Sequence, residues 1–381
     1  MDSPSAPFRP LPPDASGVLS WVHLGDLHMT VDGERNHLDL RAIVEQLNKV
    51  FTRSASFAFL PGDIADDGSR RAYGVVRSAL DALELPWCGI LGDHDVHEKS
   101  FANFHEFISS RTHYSFVAGT AQAPVRFMAL NAFDLPEPSA FTLLAEQLGW
   151  LEWELTAARE AQQMPVLLMH CYPTDLKQGG AELAALVRRF DVRVIDMGHT
   201  HYNELANDGR TLYMTTRSTG QIEEGPVGFS VTSIDGDAIS WRFFELGALP
   251  ALMITSPADH RLVRDGVGSP APEMTVRARI WSEAPIRRVT ATVGTTAVPL
   301  QPVEGSNVWQ ARLPWPSAPV KLTVTAEDDS GREATDTIAL AGPDAAAPVR
   351  APRDQDNTLG AWPEHGLLGT QLGPNKNGRK W

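Results

Sequence analysis

The stretch Leu85-Pro86-Trp87-Cys88-Gly89-Ile90-Leu91-Gly92-Asp93-His94-Asp95 passes from apolar to charged within a few residues. A short apolar run closed by Gly reads as a buried strand. Asp93, His94 and Asp95 therefore sit where that strand opens into a loop. The same change of texture recurs along the chain. Residues 18–24 lead into Gly25-Asp26-Leu27-His28, and 56–61 lead into Gly62-Asp63-Ile64-Ala65-Asp66. Val166-Leu167-Leu168-Met169 precedes His170, and 192–197 precede Gly198-His199-Thr200-His201. A lone Asp-x-His or Gly-Asp is an ordinary turn or surface pair. Five strand ends in order, each presenting Asp or His, form one repeated signal.

The stretches between these strands carry helical periodicity. Helices are expected over 36–51, over 69–83 with Ser69 as N-cap, over 100–110, over 139–162 with Ser139 as a cap candidate, and over 179–190. Residues 114–117 and 125–130 read as further strands, antiparallel to each other. From Tyr202 to about 246 the texture is short strands and Gly turns, such as Asn207-Asp208-Gly209-Arg210 and Asp235-Gly236-Asp237. Strand–helix alternation followed by hairpins predicts α/β layers with antiparallel strands added to a mixed sheet.

A boundary is expected near 247–256. Beyond it, strict alternation at 276–280, 289–293, 308–313, 320–325 and 335–340 predicts an all-β sandwich of immunoglobulin or fibronectin type. The expected organisation is an N-terminal extension (1–17), a catalytic domain (18–246), a β-sandwich (250–342) and a tail (343–381). The tail carries Trp362, Leu367, Leu368 and Trp381, too many large apolar groups for a free chain, so it is expected to lie against a folded domain.

The chain has 381 residues, 43% hydrophobic and 21% charged, with a formal net charge of −14. That composition is globular, and the acidity argues against a nucleic-acid duplex as partner, since phosphate backbones need a Lys/Arg footprint. A small anion held by metal ions is not excluded. No apolar run is long enough to span a bilayer. With two cysteines, Cys88 and Cys171, both read as core thiols, and with no apolar leader over 1–17, the expectation is a cytoplasmic protein free of disulfides. A homo-oligomer stays open.

Asp and neutral His at neighbouring strand mouths make an oxygen/nitrogen site for divalent transition metals. In an extended segment residues i and i+2 point the same way, so Asp26 with His28, and His199 with His201, are each expected to grip one ion. Asp63 is the candidate bridge. Asp66 and Asp95 read as braces for the ligand loops. Arg35, Asn36 and 217–220 are candidates to line the pocket. His23, His37, His97, His105, His113, His260 and His365 carry no pattern and read as structural.

Taken together, Asp26-x-His28, Gly62-Asp63, Gly92-Asp93-His94-Asp95, His170 and Gly198-His199-Thr200-His201 resemble the calcineurin-like metallophosphoesterases over about residues 18–246. Within them the chain looks most like bacterial cyclic-nucleotide and glycerophosphodiester phosphodiesterases. The resemblance implies a four-layer α/β/β/α sandwich and two metal ions, with Mn, Fe or Zn all suited to the ligand set. It implies one ion on Asp26, His28, Asp63 and His201, and the other on Asp63, Asp93, His170 and His199. His94 would contact the phosphate of a small phosphodiester and assist the leaving oxygen, while a hydroxide between the metals attacks in line. The family pattern has Asn where this chain has Asp93, which lowers the net charge of a two-metal site by one. That change is expected to tighten the second metal, to favour a trivalent ion, and to weaken attraction for a phosphate dianion relative to a diester. A phosphomonoesterase, a nuclease and a scaffold with spoiled chemistry are the rivals.

Overall fold

The computed structural model describes residues 7–133, 140–265, 272–341 and 357–370. Strands β1 (Leu19–His23), β2 (Phe57–Leu60) and β3 (Trp87–Gly89) pair in parallel. Helix α1 (Arg35–Val50) connects β1 to β2, and α2 (Arg70–Leu80) connects β2 to β3. Ser69 caps α2 by accepting the Ala72 N–H at 3.2 Å, which satisfies one orphan donor of the first turn. After the short helix α3 (Ala102–Phe107), β4 (Tyr114–Gly119) and β5 (Pro124–Ala129) pair antiparallel. Helix α4 spans Ala145–Glu160 with Leu144 in the cap position. It thus begins well after the expected 139, and Ser139 lies outside the described residues. Strand β6 (Met164–Leu168), α5 (Gly180–Phe190), β7 (Val194–Met197), β8 (Glu204–Asn207) and β9 (Leu212–Thr215) follow. β10 (Gly228–Asp235) and β11 (Ala238–Glu245) form the last hairpin before residue 246.

Among the described residues the first sheet has the order β11-β10-β1-β2-β3 and the second β4-β5-β6-β7-β9-β8, both mixed. Alternation along each strand divides the core. Trp21, Phe57 and Phe59 face Phe116, Phe127 and Val166 of the other sheet, while Val22, Ala58 and Leu60 face α1 and α2. Leu167 and Ile195 face α4 and α5. The four-layer α/β/β/α arrangement is therefore borne out.

β12 (Ala251–Ser256) pairs with β13 (Glu273–Trp281), so a strand the sequence reading left unassigned falls within the stretch 250–342 expected to form the sandwich. β14 (Ile286–Val293), β15 (Thr296–Pro299), β16 (Gln301–Pro302), β17 (Val308–Pro314), β18 (Val320–Asp328) and β19 (Glu333–Leu340) complete two antiparallel four-stranded sheets, β12-β13-β17-β16 and β15-β14-β18-β19.

The Arg279 guanidinium, with no exposed side-chain surface, ties this sandwich to the first sheet. It donates to Asp14 Oδ2 (2.9 Å), Ser54 O (2.8 Å) and Val18 O (3.1 Å). Its two terminal nitrogens are both paired, and the Asp14 carboxylate faces the charge, which offsets the cost of burying a cation so deeply. Cys88 and Cys171 are both buried thiols without a disulfide. No helix among the described residues is long and apolar enough to cross a membrane.

Candidate metal centre

The loops that leave β1, β2, β3, β6 and β7 meet at one edge of the two sheets, which is where ligands sit in parallel α/β architecture. Among the described residues three groups of ligand-type atoms form there, the atoms of each lying within 4.8 Å of one another: Asp63, Asp93, His170 and His199; His28, Asp63 and His201; and His28, Asp66 and His94. Asp63 belongs to the first two. Its Oδ1 accepts the His94 N–H (2.9 Å), while Oδ2 faces His170 Nε2 at 3.4 Å and His28 Nε2 at 3.6 Å. Asp93 Oδ1 lies 3.1 Å from His170 Nε2 and 3.3 Å from His199 Nδ1. Asp26 lies behind the two groups that share Asp63. Its Oδ1 accepts the His199 N–H at 3.0 Å and is 3.7 Å from His170 Nδ1.

The backbone here is strained, and the strain corrects the expected local geometry. Among the described residues eight non-glycine residues have positive φ, and His28 (39°), Asp63 (48°), His199 (73°) and His201 (64°) are four of them. Each costs about 1–2 kcal/mol, and such strain collects where function demands it. Asp26-x-His28 and His199-x-His201 are therefore turns, not extended segments. The i/i+2 argument fails for the second pair, because His199 joins Asp93 and His170 while His201 joins His28, 2.9 Å away between Nε2 atoms. Gly62, at φ +103°, shows how tightly the loops nest. A Cβ there would lie 2.6 Å from His170 Nδ1 and 2.7 Å from Gly92 N.

Hydrogen bonds fix the rings. His170 Nδ1 donates to Pro61 O (2.7 Å) and His94 Nδ1 to Asp66 O (2.8 Å), while His28 Nδ1 faces Asp66 Oδ1 (3.1 Å). Each ring then presents Nε2 as a lone pair or proton carrier. Asp95 braces the loops. Its carboxylate accepts the N–H groups of Ile64 (3.1 Å), Ala65 (3.0 Å) and Gly92 (3.0 Å) and the Tyr73 hydroxyl (2.7 Å).

The electrostatics call for a cation. Asp26 Oδ2 is buried with no hydrogen-bond partner, an arrangement that is costly unless a positive charge faces it. Burial pushes the Asp93 carboxyl up, but His170 and His199 hold it well below the usual range. Burial pushes His170 down, and Asp63 and Asp93 more than reverse this. Burial, then the Asp63 charge, pushes Asp95 up to about 6. Burial holds His201 below its ordinary value, which keeps it a neutral donor. Two such O/N pockets sharing one carboxylate fit a pair of divalent ions, so the residues present suit the group.

Several sequence candidates land elsewhere. Asn36 is buried and donates to His28 O (2.6 Å), so it holds the loop and cannot reach a substrate. Arg35 pairs with Asp39 on the helix surface. The Arg217 guanidinium turns away from the pocket and lies 4.1 Å over the Phe243 ring. His23 does have a pattern in space: Nδ1 meets Asp196 Oδ1 at 2.7 Å, and Trp21 donates to Asp196 Oδ2 at 2.8 Å. His365 is likewise buried, 2.7 Å from Asp336. Sequence reasoning missed Gln221, whose amide donates to Asp66 Oδ1 (3.1 Å), and Phe141, whose ring centre lies 4.9 Å from that of His199. No local signal marks either.

The sequence model of the calcineurin-like phosphoesterases matches residues 20–203. A probable cyclic nucleotide phosphodiesterase of Synechococcus is 25% identical over 59% of this chain and 91% of its own length. The Escherichia coli 3',5'-cyclic adenosine monophosphate phosphodiesterase CpdA is 27% identical over 49% of this chain and 68% of its own. A probable glycerophosphodiester phosphodiesterase GpdQ of Arcobacter nitrofigilis is 27% identical over 37% of this chain and 54% of its own. Over residues 20–203 the chain is similar to the calcineurin-like phosphoesterases, and this likeness, together with the phosphodiesterase-named relatives, supports a metal-dependent phosphoric ester hydrolase.

Proposed function

We propose that the protein is a dinuclear metal-dependent phosphodiesterase acting on a small phosphodiester, cyclic nucleotides first and glycerophosphodiesters second. The observation that carries this is Asp63, whose Oδ2 faces histidines of both ligand groups it belongs to and so suits two adjacent cations. Asp26, His28, Asp63 and His201 would hold one ion, and Asp63, Asp93, His170 and His199 the other, with Mn, Fe or Zn suited to these donors. When bound, such a pair activates a water and neutralises phosphoryl charge for in-line displacement.

The remaining work falls to the chain. His94, with 40% of its side chain exposed, has Nδ1 committed to Asp66 O, so Nε2 is the atom offered to a phosphate or a leaving oxygen. Burial pushes the pKa of His94 down, and the Asp63 carboxylate, then Asp66 and Asp93, raise it above the ordinary value; an imidazole at this place can serve as the proton donor to a leaving oxygen. Asp93 adds a negative charge that an amide would not, so a diester monoanion is favoured over a monoester dianion. The relatives' names point to cyclic nucleotides more often than to glycerophosphodiesters, and the charge of −14 opposes a nuclease.

We assign the chemistry to residues 18–246 and treat the sandwich of 250–342 as support. The test is turnover of cyclic AMP, glycerophosphocholine and p-nitrophenyl phosphate by wild type and His94→Ala. The reading expects hydrolysis of a diester and a loss of about 10²–10⁴ in kcat for His94→Ala at unchanged metal content. Hydrolysis of the monoester alone would overturn it.

A further inference from the structure

The described C-terminal segment reaches the metal centre through a single turn. Asn207 N donates to Asn357 O (3.1 Å) and Leu359 N to Leu205 O (2.8 Å), so the segment extends β8, the edge strand of the second sheet. Further on, Trp362 lies under the Arg261 guanidinium, 3.7 Å from its ring centre, and stacks on His365. His365 Nδ1 donates to Trp241 O at 2.9 Å. These contacts place Gly366 (φ +86°) against Phe243, and its carbonyl accepts from Arg217 Nη2 (2.7 Å) and Asn203 Nδ2 (2.9 Å).

Arg217 is 1% exposed, and its own N–H is accepted by Asn203 Oδ1 at 2.8 Å. The next residues hold two proposed ligands by their backbones. Ser218 Oγ donates to Asp26 O (2.7 Å), Gly220 N to Asp26 O (3.1 Å) and Ser218 N to His201 O (3.3 Å). Asp26 and His201 belong to the same proposed ion. The other ion's His170 is instead fixed by Pro61 O, away from this turn.

We infer that Arg217 is a positioning residue through which residues 357–370, by the Gly366 carbonyl, hold Asp26 and His201 for one of the two cations. The inference rests on the two-cation reading above. Its physical content is that a buried guanidinium held by the carbonyls of Gly366 (2.7 Å), Pro226 (3.2 Å) and Glu224 (3.4 Å) sets the turn 217–220, and that turn sets both ligand backbones. Removing an outer partner of a metal ligand commonly lowers metal affinity about 10–100-fold.

The test uses the full chain, stripped of metal by chelation and titrated with Mn(II) while free Mn(II) is followed by electron paramagnetic resonance. Three variants are compared. Arg217→Met keeps the bulk without the donors. Arg217→Lys keeps the cation but loses the planar fork. Gly366→Val forces a side chain toward Phe243, where even a Cβ would lie 2.6 Å from the Phe243 Cβ. Circular dichroism confirms the fold in each case. The expected result is two binding events in wild type, with one of them weakened about tenfold or more in Arg217→Met and Gly366→Val and less in Arg217→Lys. A folded Arg217→Met or Gly366→Val chain that keeps both wild-type affinities overturns the inference while leaving the two-cation reading intact. A folded wild-type chain that binds no Mn(II) overturns both.

Discussion

Replacing Asp95 by alanine removes the acceptor on which the two central ligand loops close. Four donors converge on its carboxylate: the N–H groups of Ile64, Ala65 and Gly92, and the Tyr73 hydroxyl. Asp95 is 1% exposed and Tyr73 fully buried, so water does not reach these donors without opening the site. Each buried donor left unpaired costs about 1–3 kcal/mol. Allowing for relaxation, Asp95→Ala should destabilise the protein by about 4 kcal/mol, near the low end of that sum. Tyr73→Phe provides the scale, because it deletes one donor and leaves the acceptor with three others, for a loss of about 1 kcal/mol. Urea unfolding of the metal-free protein at neutral pH reads both, through the midpoint at constant slope. If Asp95→Ala fell within about 1 kcal/mol of wild type, the claim that this carboxylate braces the loops would be refuted.

Other consequences can be measured the same way. Asp196→Ala leaves the buried donors of Trp21 and His23 unpaired and should cost about 3 kcal/mol, read by urea unfolding; a change below about 1 kcal/mol would contradict it. Asp336 is pushed up by burial but held at about 2 by His365 and Arg242. Its folded pKa is below its ordinary value, so the stability it adds is complete above about pH 4 and lost as pH falls toward about 2. Asp336→Asn should flatten the pH dependence of the urea midpoint across that window, and an unchanged slope would count against the ion pair. Mn(II) at a hundred times its Kd should stabilise the chain by about 2.7 kcal/mol per site relative to chelator, seen as a raised unfolding midpoint. Asp93→Asn should weaken Mn(II) binding and raise monoester turnover relative to diester turnover, whereas identical affinities and ratios would remove the role given to its charge.

Much of this was legible because it is local. Strand ends followed by Gly-Asp or Gly-His expose backbone polarity and ligand type together, so all five ligand loops could be read from adjacent residues. The four layers followed from the alternation of periods. What stayed hidden depends on contacts between distant positions. The left-handed turns at His28, His199 and His201 come from nesting of loops, not from local propensity, and they defeated the extended-segment argument. The pairing of His23 with Asp196 joins residues of different sheets. Gln221 and Phe141 reach the site from loops without periodicity. The start of α4 at Ala145 escaped because Leu144 offers no capping side chain. β12 was hidden because a strand so soon after the last hairpin looks like a linker until its partner β13 is known.

The central claim is that two cations share Asp63. It is tested most directly by elemental analysis of the purified chain after Mn(II) loading, with bis(p-nitrophenyl) phosphate and p-nitrophenyl phosphate turned over by the same sample. The account predicts about two metals per chain and faster turnover of the diester. A folded chain holding no metal and cleaving neither ester would contradict it.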